Sequence, residues 1–382
     1  MVTPGEIEID ALLARAVGGR DAEYPGAWVA PAAIDRLLDR ISYHGVAVLL
    51  AENAVVLDRW PAEVGERVRE RALAQSMWEV RHRALLCDLL GRLEGRGIAS
   101  MFLKGTAMAY DLYDNPAARA RGDSDLLVEE RAVGAARECL VQAGFVLLGD
   151  SDGLPQSLRL QESWSTDAGD GSNQVIDLHW HPLNTPALDL LSFSQWERQS
   201  RPLPRLHPAA RAPSRPLMLV HACVHRGLHV YSPYLANGRM HFGGNRLIWL
   251  RDIACLARTM DDAQWASVTK LALDRGLSAV CLDGIVAAEA HFGALVPAGA
   301  RAKLGSGPSA AYFRSGQLGR ALRDFWAIRG LGRKLQYVSG RSFPAAGFMR
   351  AKYGDMATRP LPFLYLRRFA ELVQRRPSRT SR

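Results

Sequence analysis

Apolar residues recur at three- and four-residue spacing through residues 30 to 98. There "AAIDRLLDRISYHGVAVLL" and "VGERVRERALAQSMWEVRHRALLCDLLGRLEGRG" read as helices, with Gly95 and Gly97 as stop signals. The period then changes. "IASMFLKG" is a short apolar run ending at Gly105, and "TAMAYDLYD" is helical until Asn115-Pro116 breaks it. "DSDLLV" predicts a second strand, "RAVGAARECLVQAGF" a helix closed near Gly144, and "FVLL" a third short strand. Gly149 to Asn173 is rich in Gly, Asp and Ser and reads as a loop, with some strand in "QSLRLQESW"; "QVIDLHWHP" is a further strand stopped by Pro182. Strands alternating with helices over Met101 to His181 describe a compact α/β unit.

From about Arg215 the helical period returns in "RPLMLVHACVHRGLHVY", "NRLIWLRDIACLARTM", "DDAQWASVTKLALDRG" and "LSAVCLDGIVAAEAHFG", the third with Asp261 or Asp262 as its cap. The Pro- and Arg-rich segment 201–216 reads as a linker. The expected chain is therefore α+β (α/β): a small mixed-sheet domain at 99–200, a helical region at 1–98 before it, and a helical domain with a basic tail at 215–382 after it.

Composition narrows the class. With 382 residues, 48% of them hydrophobic, the chain can bury a sizeable core. Its five cysteines, Cys87, Cys139, Cys223, Cys255 and Cys281, are odd in number, widely spread and free of any CxxC pair. That pattern argues against a disulfide framework or zinc ribbon and for a reducing cytoplasm. The acidic start "MVTPGEIEIDALLARAVGG" has no basic segment leading into an apolar one, and no run of about 18 apolar residues occurs, so neither secretion nor a membrane span is expected. The net charge of +9 is uneven, since residues 301–382 hold 18 Lys and Arg against 3 Asp and Glu. A polyanion or an anionic membrane would suit that end; a solvated helical surface would too.

The chemistry concentrates in "FLKGTAMAYDLYDNPAARARGDSDLLV". On a strand, Asp123 and Asp125 point to one side while Ser124 points to the other. Adjacent anions are tolerated when a divalent cation lies between them, and Mg²⁺ completes its shell with substrate phosphates, so the pair predicts a metal-nucleotide site. The junction Lys104-Gly105-Thr106 supplies a glycine that allows close backbone approach, helix N-terminal N–H groups and a hydroxyl, all suited to phosphate. Lys104, Arg119 and Arg121 can offset a triphosphate's charge. Asp177, on a later strand, can complete the metal cage or accept the proton of an attacking hydroxyl. His179, two residues on, shares that face and is placed to steer phosphate or acceptor.

The order strand, Lys-Gly, helix, Arg, Gly-Asp-x-Asp-Leu-Leu-Val, helix, Ile-Asp-Leu-His-Trp resembles the uncharacterised nucleotidyltransferase family of the polymerase-beta-like nucleotidyltransferase superfamily. The likeness runs over residues 75 to 260, through "HACVHRGLH" and "RLIWLRDIA". It departs at the Gly-Thr turn, where Gly-Ser or Gly-Gly is usual, and in the longer connection "HVYSPYLANGRMHFGG". The resemblance implies a turn glycine at Gly105, a metal-holding triad of Asp123, Asp125 and Asp177, and Mg²⁺ (or Mn²⁺) as cofactor. It further implies transfer of a nucleoside monophosphate from an NTP to a hydroxyl or phosphate, with release of pyrophosphate. The acceptor it suggests is a small molecule, a glycan or a modified peptide. An RNA (tRNA) acceptor, as in toxin-like members of the superfamily, and a non-catalytic nucleotide-binding scaffold are the alternatives.

His221, His225 and His229 share one helix face and have three readings: packing or hydrogen bonding, contact with substrate, or a structural zinc. Asp252, beside Arg251, reads as a surface or interface ion pair. "LPFLYLRRFAELVQRR" is basic and amphipathic, suited to a docked terminal helix or an anionic membrane.

Overall fold

The computed structural model describes residues 4–148, 155–167, 172–188, 190–230, 234–236, 239–241, 243–293, 295–308, 311–353 and 358–374. The central sheet has five strands: β1 (Ser100–Phe102), β2 (Asp123–Val128), β3 (Val146–Leu147), β4 (Gln161–Asp167) and β5 (Asn173–His179). Their spatial order is β1-β2-β5-β4-β3. Only β2 and β5 run parallel, and the other neighbours are antiparallel, which makes the sheet mixed as expected. A parallel pair needs a crossover, and the helix Val133–Gln142 with β3 and β4 provides it.

Register decides what this sheet can do. Asp125 stands opposite Asp177 in the parallel pair, and Ser163 opposite Asp177 in the antiparallel one. Side chains alternate between faces, so Asp125, Asp177 and Ser163 share one face while Ser124, Leu126 and Ile176 take the other. From Ser124 to Val128 every residue of β2 is buried, as in a strand covered on both sides.

The 34-residue helix Ala62–Gly95 lies behind the sheet. Its buried positions Val64, Val68, Ala72, Glu79, His82, Leu86, Leu89, Leu90 and Leu93 keep three- and four-residue spacing, and Gly97 at φ 65° turns the chain into β1. The N-terminal helix Glu6–Val17 is not announced by the pattern reading. It buries Ile9, Leu12, Leu13 and Ala16 and packs on Ser278–Phe292, more than 260 residues further along the chain. One continuous core therefore includes Ile9, Leu86, Leu126, Leu219 and Ile285.

The segment 201–216 is not a linker. Ser200–Pro202 pairs with Arg211–Pro213, Leu203, Leu206 and Ala210 are buried, and Arg211–Pro213 packs on β1. Its proline and arginine content masked leucines that anchor it. Asp261 rather than Asp262 caps the helix Asp262–Asp274, accepting a hydrogen bond from the Gln264 N–H at 2.8 Å. Within the connection after His229, Tyr234–Ala236 pairs with Arg239–His241, while residues 231–233, 237, 238 and 242 lie outside the described set. So do 149–154 and 168–171 of the expected loop, whose described part includes a short 3-10 turn at Gln156–Leu158 and β4. The five cysteines are unpaired, and among the described residues no helix is long and apolar enough to cross a membrane.

Candidate active site

The site begins where β1 ends. Lys104 has φ 47°, the one left-handed backbone outside glycine among the described residues, a conformation that costs on the order of 1–2 kcal/mol. A glycine would adopt it freely, so the lysine side chain is what the strain retains. Its Nζ stands 2.5 Å from Asp125 Oδ1. The Leu103 N–H also donates to the Asp125 carbonyl at 2.9 Å, so β1 stays paired up to the turn.

Gly105 is the second residue of the helix Lys104–Leu112, and its lack of a side chain matters for packing. A Cβ there would stand 3.2 Å from Arg121 Cδ and 3.3 Å from Arg119 Nη1, so the missing side chain makes room for the two arginines. Thr106 is buried with its hydroxyl 2.6 Å from Ser124 Oγ, which ties the helix to the back of β2.

The acidic face holds three carboxylates and a histidine. Ligand atoms of Asp125, Asp177 and His179 lie within 4.8 Å of one another, the one such cluster among the described residues. Asp123 lies outside it, at the exposed first position of β2. His179 Nε2 is 2.9 Å from Asp125 Oδ1 and donates to it, and the Ser163 hydroxyl donates to Asp177 Oδ1 at 2.6 Å.

These contacts pull the carboxyl pKa values apart. Burial works against charge on Asp125, but the Lys104 ammonium and the His179 hydrogen bond outweigh it and hold its carboxyl well below the ordinary carboxylate range. Asp123 reaches solvent, yet desolvation by crowding protein, with repulsion from Asp125 and Asp177, pushes it up to about 7. Burial and the Asp125 charge push Asp177 up to about 6, against the Ser163 hydrogen bond. Burial also lowers His179 and would lower Lys104, but the three carboxylates keep the ammonium charged. One lysine thus faces three acids, an imbalance that a divalent cation would correct. The carboxylates are oxygen donors of the kind that divalent cations take, while His179 Nε2 is engaged with Asp125.

The arginines expected to offset a triphosphate are already paired. Arg119 Nε donates to Asp252 Oδ2 at 2.7 Å, and Tyr113 donates to the other oxygen at 2.8 Å. Both charged groups are buried, so Asp252 joins the sheet unit to the helix Leu247–Arg258 and its partner is Arg119 rather than Arg251. Arg121 pairs with Glu79 at 2.7 Å and lies over the rings of Trp78 and Tyr110.

The long helix supplies supports that the sequence reading did not single out. His82 is buried between Ser124 Oγ at 2.6 Å and Gln174 Oε1 at 2.8 Å, bracing β2 and β5 from behind. Burial pushes it down to about 3, so it is neutral. Glu79 receives Tyr110 and Arg121. A Glu and a His interrupting the apolar stripe between Ala72 and Leu86 were the available signal.

Of the three helix histidines, buried His221 donates to the Pro182 carbonyl at 3.0 Å, with burial pushing it down to about 4. His225 and His229 approach each other, Nε2 to Nε2, at 3.1 Å, and both rings contact Trp249. Packing and hydrogen bonding thus account for His221. Among the described residues the three form no metal-ligating cluster of their own.

A mixed sheet that sets acidic side chains on adjacent parallel strands, beside a strand-to-helix turn with a lysine, is the architecture of a nucleotidyltransferase. A family model described as an uncharacterised nucleotidyltransferase matches residues 30–293, and the chain belongs to that family. It is accordingly a transferase enzyme. No curated protein matches the chain.

Proposed function

We propose that the protein is a metal-dependent nucleotidyltransferase. It moves a nucleoside monophosphate from an NTP to a hydroxyl or phosphate of a small molecule, glycan or modified peptide, and releases pyrophosphate. The observation that carries this reading is the in-register pair Asp125 and Asp177, with Asp123 beside them and one lysine for three carboxylates.

Asp125 and Asp177, with His179 at hand and Asp123 on the same face of β2, would hold Mg²⁺ or Mn²⁺. Such a cation, when bound, polarises phosphoryl oxygens and offsets the charge that develops on the pyrophosphate. The acceptor oxygen forms a bond to the α-phosphorus, the bond from that phosphorus to the bridging oxygen breaks, and pyrophosphate leaves. Ser163 fixes one oxygen of Asp177, and the other accepts the proton of an acceptor hydroxyl. Lys104 balances negative charge on the transferred phosphoryl group, and the N-terminal N–H groups of the helix that it opens would suit phosphate oxygens. Arg119 and Arg121 act less directly, by holding the turn against Asp252 and Glu79.

The test is pyrophosphate release with Mg²⁺ and each NTP over candidate acceptors, in wild type and in the double variant Asp123→Asn/Asp125→Asn. Loss of turnover with an unchanged circular dichroism spectrum is expected. Full activity in the double variant would sink the assignment.

A further inference from the structure

A helix on the surface of a globular protein ordinarily turns its apolar side inward. The helix Gln317–Ala327 instead buries Arg320 and Asp324 and exposes Leu318, Leu322 and Trp326. The two stripes each keep four-residue spacing and are offset by two residues, about 200° around the axis, so they lie on opposite sides. Asp324 accepts from the Thr185 hydroxyl and from the Ala187 N–H at 3.3 Å, and Arg320 donates to the Tyr312 carbonyl at 3.1 Å, so the polar stripe docks the helix. The next helix, Leu331–Ser342, repeats the arrangement: Tyr337 and Gly340 are buried, while Leu331, Leu335 and Val338 are exposed. Beneath the pair lies a small core of Leu158, Ile328 and Tyr337.

The two exposed stripes adjoin, since Lys334 of the second helix stands 4.7 Å from the centroid of the Trp326 ring. Just past that helix, the Phe343 ring meets Phe369 of the helix Leu361–Gln374 at 6.1 Å between centroids, and Phe363 and Leu366 are exposed there as well. Leu318 is 75% exposed, Trp326 71% and Leu331 74%. Single apolar residues on a surface are ordinary, but a connected run of them marks an interaction face. Its charge has one sign. Residues 317–342 hold six Lys and Arg against one acid, Asp324, which is turned inward. Arg323, Arg329 and Arg333 are exposed, and among the described residues none of them forms an ion pair with a carboxylate.

We infer that this face docks on the surface of an anionic lipid bilayer, with its leucines and aromatic rings in the acyl boundary and its arginines among the headgroups. Helices with a strong apolar side, basic flanks and Trp or Phe at the apolar side lie in the plane of such an interface rather than cross it. The charge of the wider segment 301–382, 18 Lys and Arg against 3 Asp and Glu, has the same sign and adds to the attraction. A second copy of the chain would set these cations against their own kind. A nucleic acid would answer the charge but leave the leucines in water. The inference does not rest on the nucleotidyltransferase reading, because none of these residues belongs to the acidic face.

Co-sedimentation of the full chain with phosphatidylcholine vesicles, with and without phosphatidylglycerol, provides the test, and sedimentation velocity reports self-association beside it. Wild type should bind vesicles that contain phosphatidylglycerol at least about tenfold more tightly than phosphatidylcholine alone, and added salt should weaken that binding. Leu322→Glu/Leu335→Glu removes the apolar contact and Arg323→Gln/Arg329→Gln part of the charge. Each pair should lower the affinity at least about tenfold, with the circular dichroism spectrum and melting temperature unchanged because all four positions are exposed. Absence of binding in wild type, equal binding to both kinds of vesicle, or binding that either double variant leaves at full strength overturns the inference. So does self-association of wild type that Leu322→Glu/Leu335→Glu abolishes without any vesicle binding, which would give the face to a second copy. Pyrophosphate release measured without vesicles tests the reaction by itself, so either conclusion can fail alone.

Discussion

Metal binding at the acidic face should release protons, in an amount fixed by pH. In the metal-free protein Asp123 titrates at about 7 and Asp177 at about 6, whereas Asp125 stays ionised. A cation that needs all three carboxylates ionised must displace whatever protons they hold. At pH 6 the two raised groups together carry about 1.4 protons, and at pH 8 about 0.1. The same titrations weaken apparent Mn²⁺ affinity about 20-fold between pH 8 and pH 6. The sign follows from raised carboxyl pKa values: the metal-free fold binds protons more tightly than the unfolded chain, so its stability falls as pH rises through 6 to 7, and bound cation reverses the trend. Calorimetric titration of Mn²⁺ at low ionic strength, where the exposed Asp123 is least screened, reads the proton count from buffers of different ionisation enthalpy. Asp123→Asn should cut the release at pH 6 to about 0.5 proton, the share of Asp177. Equal proton release at pH 6 and pH 8, with metal bound at both, would mean that the raised carboxyls are not metal ligands.

Two further outcomes test the supports. Asp252→Ala strands the Arg119 guanidinium in the core and should cost about 3–5 kcal/mol by denaturant unfolding, while Asp252→Asn, which still accepts from Tyr113, should cost less. His82→Leu removes the brace between Ser124 and Gln174 and should cost about 1–3 kcal/mol at pH 7. Because burial holds His82 far below its unfolded value, its stabilisation is complete above about 6.5 and is lost as pH falls toward about 3. That part of the acid dependence should vanish in His82→Leu.

Much of the sheet was legible because its cues are local. Alternating or continuous apolar runs ended by Gly and Pro located β1, β2 and β5, and the two-residue period placed Asp123 and Asp125 on one side. The segment 201–216 was misread because prolines and arginines outweighed two leucines that matter only once β1 is there to receive them. The N-terminal helix went unannounced because its apolar face matches a helix more than 260 residues away.

Chain order alone sets which chemical groups exist and which are neighbours along a strand or turn: a lysine before a glycine, two aspartates two apart, and a third on a later strand. Those follow from chain geometry. How each charge is answered came from the packing of distant elements in the fold. It set Asp125 opposite Asp177, took Arg119 to Asp252 across 133 residues, and drew Arg121 back to Glu79. Such pairings depend on where distant elements pack, and in a buried setting the pairing, more than the residue type, sets whether a charge holds the fold together or awaits a substrate.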